Sequence, residues 1–176
     1  MQEIQDTILS VQAGKASGPF CIPFSLLKSL NSIIAKPLEI LYNLSFSSGT
    51  VADSFKMARV IPVYKSGPTS SFSNYRPISF LSIFNQILEK LLYNRLYKYL
   101  EKYNIIYSGQ FGFWANHSPD HALLLIVDKI QRVIESGQFS CGIFLDLRKA
   151  FDTVDHDILL DKLYSNVIRG THYDWD

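Results

Sequence analysis

Four aspartates and a histidine crowd one stretch of a dozen residues: Asp146, Asp152, Asp155, His156 and Asp157. Asp146 stands directly behind the apolar run Ile143, Phe144, Leu145. An acid at the end of a rigid apolar strand either caps the turn that follows or holds a cation. Transfer of a phosphoryl or nucleotidyl group needs cations to neutralise charge in the transition state, and two-metal sites fix those cations with carboxylates on rigid elements. Mg²⁺ suits a strand-end carboxylate, because it keeps several waters and takes only one or two protein oxygens. One aspartate alone does not complete such a site. Read from composition alone, capping is the commoner role: Asp146 closes the turn, and Asp152, Asp155 and Asp157 favour the positive end of the next helix.

Other polar residues carry weaker signals. Lys65 and Arg76 flank a polar loop between two extended runs, with Arg59 further back, and each is by itself an ordinary solvated strand-end charge. His117 and His121 are four apart, but no third ligand is evident and Pro119 starts a helix between them, so zinc is not expected. His156 has acidic neighbours but no serine or cysteine in the setting of a nucleophile.

The elements that must position these residues follow from periodicity. Between Ser25 and Ser48 leucines and isoleucines recur at three- and four-residue steps, which predicts two helices with a break near Lys36 and an end at Gly49. "ARVIPVYK" and "YRPISF" are extended runs joined by the loop-forming "SGPTSSFSN", hence two strands, and their prolines favour edge or irregular positions. A long amphipathic helix is predicted from Leu81 to Tyr103. "NIIYSGQFGFWANHS" reads as a glycine-bearing loop. Ser118 as N-cap, Pro119 at N1 and Gly137 past the last turn bracket another helix. The strand "FSCGIFLD" and a helix around "HDILLDKLY" complete the pattern. The Asp146 strand is expected to pack against the helices of 81–103 and 119–135.

The chain has 176 residues, 47% of them hydrophobic, enough for one domain or two small lobes. A formal charge of +1 means that any nucleic-acid binding relies on local patches. Cys21 and Cys141 lack metal spacing and sit beside apolar residues, so free buried thiols in a reducing, intracellular compartment are expected, cytoplasmic or nuclear. The N-terminus lacks the pattern of a signal peptide, and no stretch approaches the roughly 18 apolar residues of a membrane span. "RGTHYDWD" follows a helical pattern with no cap or polar tail, which reads as a chain cut from a longer one.

"FLDLRKAFDTVDHDILLDKL" resembles the first catalytic palm motif of reverse transcriptases from non-LTR (LINE-type) retrotransposons: an apolar strand, Asp146, three residues, then Ala150, Phe151 and Asp152. "ARVIPVYKSG", "SNYRPISFLSIFNQILEKLLYNRL", "QFGF" and "HALLLIVDKI" resemble the finger and upper-palm segments of that family, in its order, from about Gly18 to nearly the C-terminus. The resemblance implies an α+β, right-hand polymerase (reverse transcriptase-like) fold. Residues 1–176 then form a partial domain, with 18–137 as fingers and upper palm and 138–176 as the start of the palm. It further implies an enzyme that adds deoxyribonucleotides to a DNA primer on an RNA template, with two Mg²⁺ ions in the complete enzyme. Asp146 becomes the catalytic metal ligand. Lys65 and Arg76 become triphosphate contacts, a point charge and a planar fork, with Arg59 a weaker candidate. Phe151 lies against the sugar, where a bulky ring excludes a 2′-hydroxyl, and Gln110, Phe111 and Gly112 lie near the template. Lys65, Arg76 and Asp146 are then expected to face one cleft.

The pattern departs from the family in three places. Phe20 and Cys21 stand where it has an acid and a glycine, so a turn is lost or rebuilt. Trp114, Ala115, Asn116 and His117 stand where a basic template contact is expected. The paired-aspartate motif is absent, "HYDWD" offering only Asp174 and Asp176. These departures favour a fragment inactive by itself. They also allow a second reading, a non-catalytic remnant that binds nucleic acid or a partner, or has no function. A phosphohydrolase with an aspartyl nucleophile is disfavoured by Arg148, which stands where a second aspartate is needed.

Overall fold

A computed structural model describes residues 1–12, 18–147 and 150–168. The chain forms two compact units, residues 1–98 with 160–176 and residues 99–159. The first unit carries helices α1 (Gln2–Ser10), α2 (Phe24–Ser29), α3 (Asn31–Ser48) and α4 (Asp53–Lys56), strands β1 (Ala58–Tyr64) and β2 (Tyr75–Leu81), and most of α5 (Ile83–Lys102). Helices α6 (Pro119–Glu135) and α7 (His156–Ser165) follow. Among the described residues, helices with one antiparallel sheet make the α+β arrangement that the sequence predicts.

The core belongs to the first unit. Ile4 and Ile8 of α1, Phe24 and Leu27 of α2, Leu38 and Tyr42 of α3, Phe55 of α4, and Ile83, Ile87, Leu88 and Leu91 of α5 are buried in one cluster. The α5 residues recur at three- and four-residue steps, so a single stripe of that helix is buried. Ser82 caps α5, its Oγ accepting the Asn85 N–H at 3.2 Å, while Gln86 Nε2 reaches back to the Leu81 carbonyl at 2.9 Å. The Tyr42 hydroxyl donates to the Phe84 carbonyl at 2.7 Å, and burial pushes its phenol well above the ordinary value. Arg95 grips Glu3 of α1 with two bonds, of 2.7 and 3.1 Å, and holds that carboxyl below the usual range.

The break between the first two apolar helices falls at Leu30, not near Lys36. Leu30 adopts φ −96°, ψ 10°, ending α2 and opening α3. Pro37 lies inside α3, whose packing through Ala35, Leu38 and Tyr42 overrides the local helix-breaking signal. Gly49 ends α3 at φ 67°, as its position predicts.

Strands β1 and β2 pair antiparallel with Pro62 directly opposite Pro77. The Lys65 N–H donates to the Asn74 carbonyl at 2.8 Å. Alternation from that hydrogen-bonded pair puts the two prolines in a non-hydrogen-bonded pair, whose backbone groups point outward. Neither proline interrupts the ladder, and each leaves its outer edge without an N–H where a third strand would dock.

Two sequence expectations fail in the second unit. Residues 141–147 form no strand, and Phe139, Ile143, Phe144 and Leu145 are exposed. An apolar run supplies the side chains of a buried strand but not its hydrogen-bond partners, and among the described residues no strand lies beside it. Helix α6 begins and ends where its caps predict: Ser118 Oγ accepts the His121 N–H at 3.3 Å, and Gly137 at φ 68° donates to the Ile134 carbonyl. No residue of α6 is buried, however, so it does not pack as expected. The cysteines are free, but both are exposed rather than buried, Cys21 in a turn and Cys141 in the unpaired run.

Residues 18 to 21 form a hydrogen-bonded turn. The Cys21 N–H donates to the Gly18 carbonyl at 3.1 Å, and Cys21 adopts φ 53°, in the left-handed region that favours glycine. Gly18 itself has no room for a side chain, since a Cβ there would lie 2.2 Å from the Leu81 carbonyl oxygen. Cys21→Gly is expected to stabilise the chain by about 1 kcal/mol. Gly18→Ala is expected to destabilise it by about 2 kcal/mol, because backbone must move. Urea unfolding checks both through opposite midpoint shifts at constant slope.

Candidate functional site

Strand register decides where the cations of the hairpin point. Arg59, Ile61 and Val63 alternate onto one face of β1, and Lys65 continues that series. Arg76 pairs with Val63, so it shares the face. Lys65, Arg76 and Arg59 therefore lie on one side of the hairpin, all exposed, and none is ion-paired to a carboxylate among the described residues.

The loop between the strands is held by side chains whose importance the sequence reading missed. The Tyr64 hydroxyl donates to the Gly67 carbonyl, Asn74 Nδ2 to the Pro68 carbonyl at 2.8 Å and the Tyr75 hydroxyl to the Thr69 carbonyl at 3.0 Å. The Tyr64 and Tyr75 rings meet edge to face at 5.6 Å. Tyrosine at both loop-flanking strand ends was the available signal, because such a pair supplies aromatic contact and hydroxyl donors together. Gly67 at φ 93° has Asn74 against its open side, where a Cβ would come within 2.7 Å of Nδ2.

The remaining site residues lie in the second unit. Asp146 is exposed in the unpaired run, and no carboxylate or histidine cluster able to hold a metal is found among the described residues. Its oxygens suit a hard cation in kind, but not in number. Asp155 takes the capping role, its Oδ1 accepting the Ile158 N–H at 3.1 Å. Phe151 is no core aromatic: it is 80% exposed and meets Phe113 edge to face at 6.1 Å. Gln110 Nε2 donates to the Gly112 carbonyl at 2.8 Å, so these two template candidates form one tight turn. Phe111 packs against His117 at 5.6 Å, and Trp114 stacks on the same imidazole at 4.1 Å and 3°. Phe111, Trp114 and His117 thus build an aromatic stack. Arg148, Asp174 and Asp176 lie outside the described residues.

Residues 63–175 match the family described as "Reverse transcriptase (RNA-dependent DNA polymerase)". The chain belongs to the reverse transcriptase family. It is 30% identical over 164 residues to the probable RNA-directed DNA polymerase from transposon BS of Drosophila melanogaster, covering 93% of this chain and 18% of that protein. It is 29% identical over 163 residues to the RNA-directed DNA polymerase from mobile element jockey of the same species, covering 92% and 18%. The jockey polymerase of Drosophila funebris is 26% identical over 94% of the chain and 18% of its own length. The chain thus spans about a fifth of these relatives. Within this reverse transcriptase segment the hairpin is the most completely built feature: two strands, three loop-closing bonds and a one-sided row of cations.

Removing one loop tie by Asn74→Ala is expected to loosen residues 66–74 by about 1 kcal/mol, or about fivefold in amide exchange. Gly67→Ala adds a disfavoured backbone conformation to lost space and should exceed it. Hydrogen exchange followed by NMR checks the order, with the α5 amides unchanged as control.

Proposed function

We propose that this chain is the fingers and first palm segment of an RNA-directed DNA polymerase that extends a DNA primer on an RNA template. The observation that carries the proposal is the one-sided row of Lys65 and Arg76, not ion-paired among the described residues, on a braced hairpin, in a chain of reverse transcriptase family. A triphosphate needs positive charge that no protein carboxylate has already taken, at a fixed spacing. Lys65 serves as a mobile point charge and Arg76 as a planar fork, while Arg59 extends the same row. Residues 18–137 are assigned to fingers and upper palm, and 138–176 to the start of the palm.

Asp146 is proposed as one carboxylate ligand of the metal site. Two Mg²⁺ ions, when bound, would neutralise the charge that develops on the transferred group. Phe151 excludes a 2′-hydroxyl by bulk, and the Gln110 to Gly112 turn approaches the template backbone closely because glycine carries no side chain there. A single carboxylate leaves two divalent ions underneutralised and poorly fixed, so residues 1–176 by themselves are proposed to bind nucleic acid without extending a primer.

Primer extension on an RNA template with residues 1–176 and Mg²⁺, beside Asp146→Ala, tests this. No extension by either chain is expected; extension that Asp146→Ala abolishes would show a complete site here and overturn the claim of inactivity. Binding to single-stranded RNA is expected to be salt-dependent. Replacing both Lys65 and Arg76 by alanine should flatten the slope of log affinity against log salt by about 1.4, two phosphate contacts' worth. An unchanged slope would remove these residues from the phosphate path.

A further inference from the structure

A cleft of about 410 Å³ opens in the first unit, and its lining includes none of the residues assigned above. Val51, Phe55, Leu81, Leu88 and Leu92 make its walls apolar. Its volume and lining fall in the range of small-molecule sites, which pair an apolar body with a few placed polar groups. Here those groups are Asn85 and Glu89, one turn apart on α5. Asn85 is nearly buried, and its Nδ2 donates to Glu89 Oε1 at 3.2 Å. That bond aligns the pair and leaves two acceptors, Asn85 Oδ1 and Glu89 Oε2, with no other partner among the described residues.

We infer that this cleft binds small amphipathic organic cations, with an apolar ring against Phe55, Leu88 and Leu92 and an ammonium group on Glu89 Oε2 and Asn85 Oδ1. Two acceptors one turn apart on the cleft wall call for a ligand with several N–H donors, and the carboxylate makes a cation the complementary charge. Glu89 stands exposed at the mouth of the cleft, and partial desolvation raises its carboxyl against the opposing effect of its Asn85 bond. Lys56 also lines the cleft and has a partner of its own. Because Leu81 ends β2 and Leu88 belongs to the core, an occupant braces the root of the hairpin against the helices.

The test titrates residues 1–176 with three probes of one shape, 2-phenylethylamine, 2-phenylethanol and 3-phenylpropionate, observing the methyl groups of Val51, Leu81, Leu88 and Leu92 by NMR. Saturable one-site binding is expected for the amine, about tenfold tighter than for the alcohol, as a charge-assisted hydrogen bond would give. Glu89→Gln should erase that advantage and leave the alcohol unchanged. Amide exchange along β2 should slow when the amine is bound. Equal affinity for amine and alcohol, tighter binding of the carboxylate, or no saturable binding would each overturn the inference. The three-probe comparison is made on the unmodified chain, so it decides the matter even if the variant fails to fold.

Discussion

The buried stripe on the first turns of α5 is the constraint on which the rest of the first unit depends. Ile83, Ile87, Leu88 and Leu91 share one core with α1, α2, α3 and α4. Polar bonds then fix the register of that packing: Tyr42 to the Phe84 carbonyl from α3, and Arg95 to Glu3 of α1. Apolar burial supplies the driving force, but it is non-directional, whereas these bonds tolerate little sliding. The Arg95 pair is exposed and worth little as energy. Its value is positional.

The hairpin inherits its position from that helix. Only Ser82 separates β2 from α5, and it is buried, with the Gly18 backbone pressed against Leu81 and Ser82. A two-stranded hairpin by itself is marginal in water. This one is anchored at its root by core packing and closed at its tip by Tyr64, Asn74 and Tyr75. Between the two ends both faces stay largely open, and the paired prolines deprive each outer edge of an N–H. The result is a thin, braced arm that can present cations without recruiting another strand.

The second unit is built on a different balance. Helix α6 has well-formed caps and an apolar surface, yet none of its residues is fully buried, and the run before Asp146 is apolar and unpaired among the described residues. Local hydrogen bonds hold the helix and the Gln110 turn, and ring contacts hold Phe111, Trp114 and His117 together. Such contacts order segments one at a time. They do not give Asp146 the rigid strand end on which a metal ligand depends, and that difference separates the well-built cation row from the bare carboxylate.

Features whose cause is local were legible in the residues. The α5 stripe, the two strands with their loop, and the Ser118 and Gly137 ends of α6 all follow from periodicity, β-branched alternation or capping, which act within a few positions. The family was legible for a related reason, because short motifs keep their order. The strand before Asp146 was misread, since a strand exists only through a neighbour's backbone and an apolar run does not name one. The helix break moved from Lys36 to Leu30 because packing of α3 outweighs the local cost of Pro37. The cysteines were placed inside on hydrophobicity alone, although burial is a property of what lies opposite. At the candidate site, the residue types of Lys65, Arg76, Phe151 and Asp146 were readable, but their geometry was not. Strand pairing puts Lys65 and Arg76 on one face, and a shift of one residue would have parted them. The sequence by itself determined which chemistries the chain carries and where its local elements lie; tertiary pairing decided which side chains share a face, because long-range contacts set register and burial.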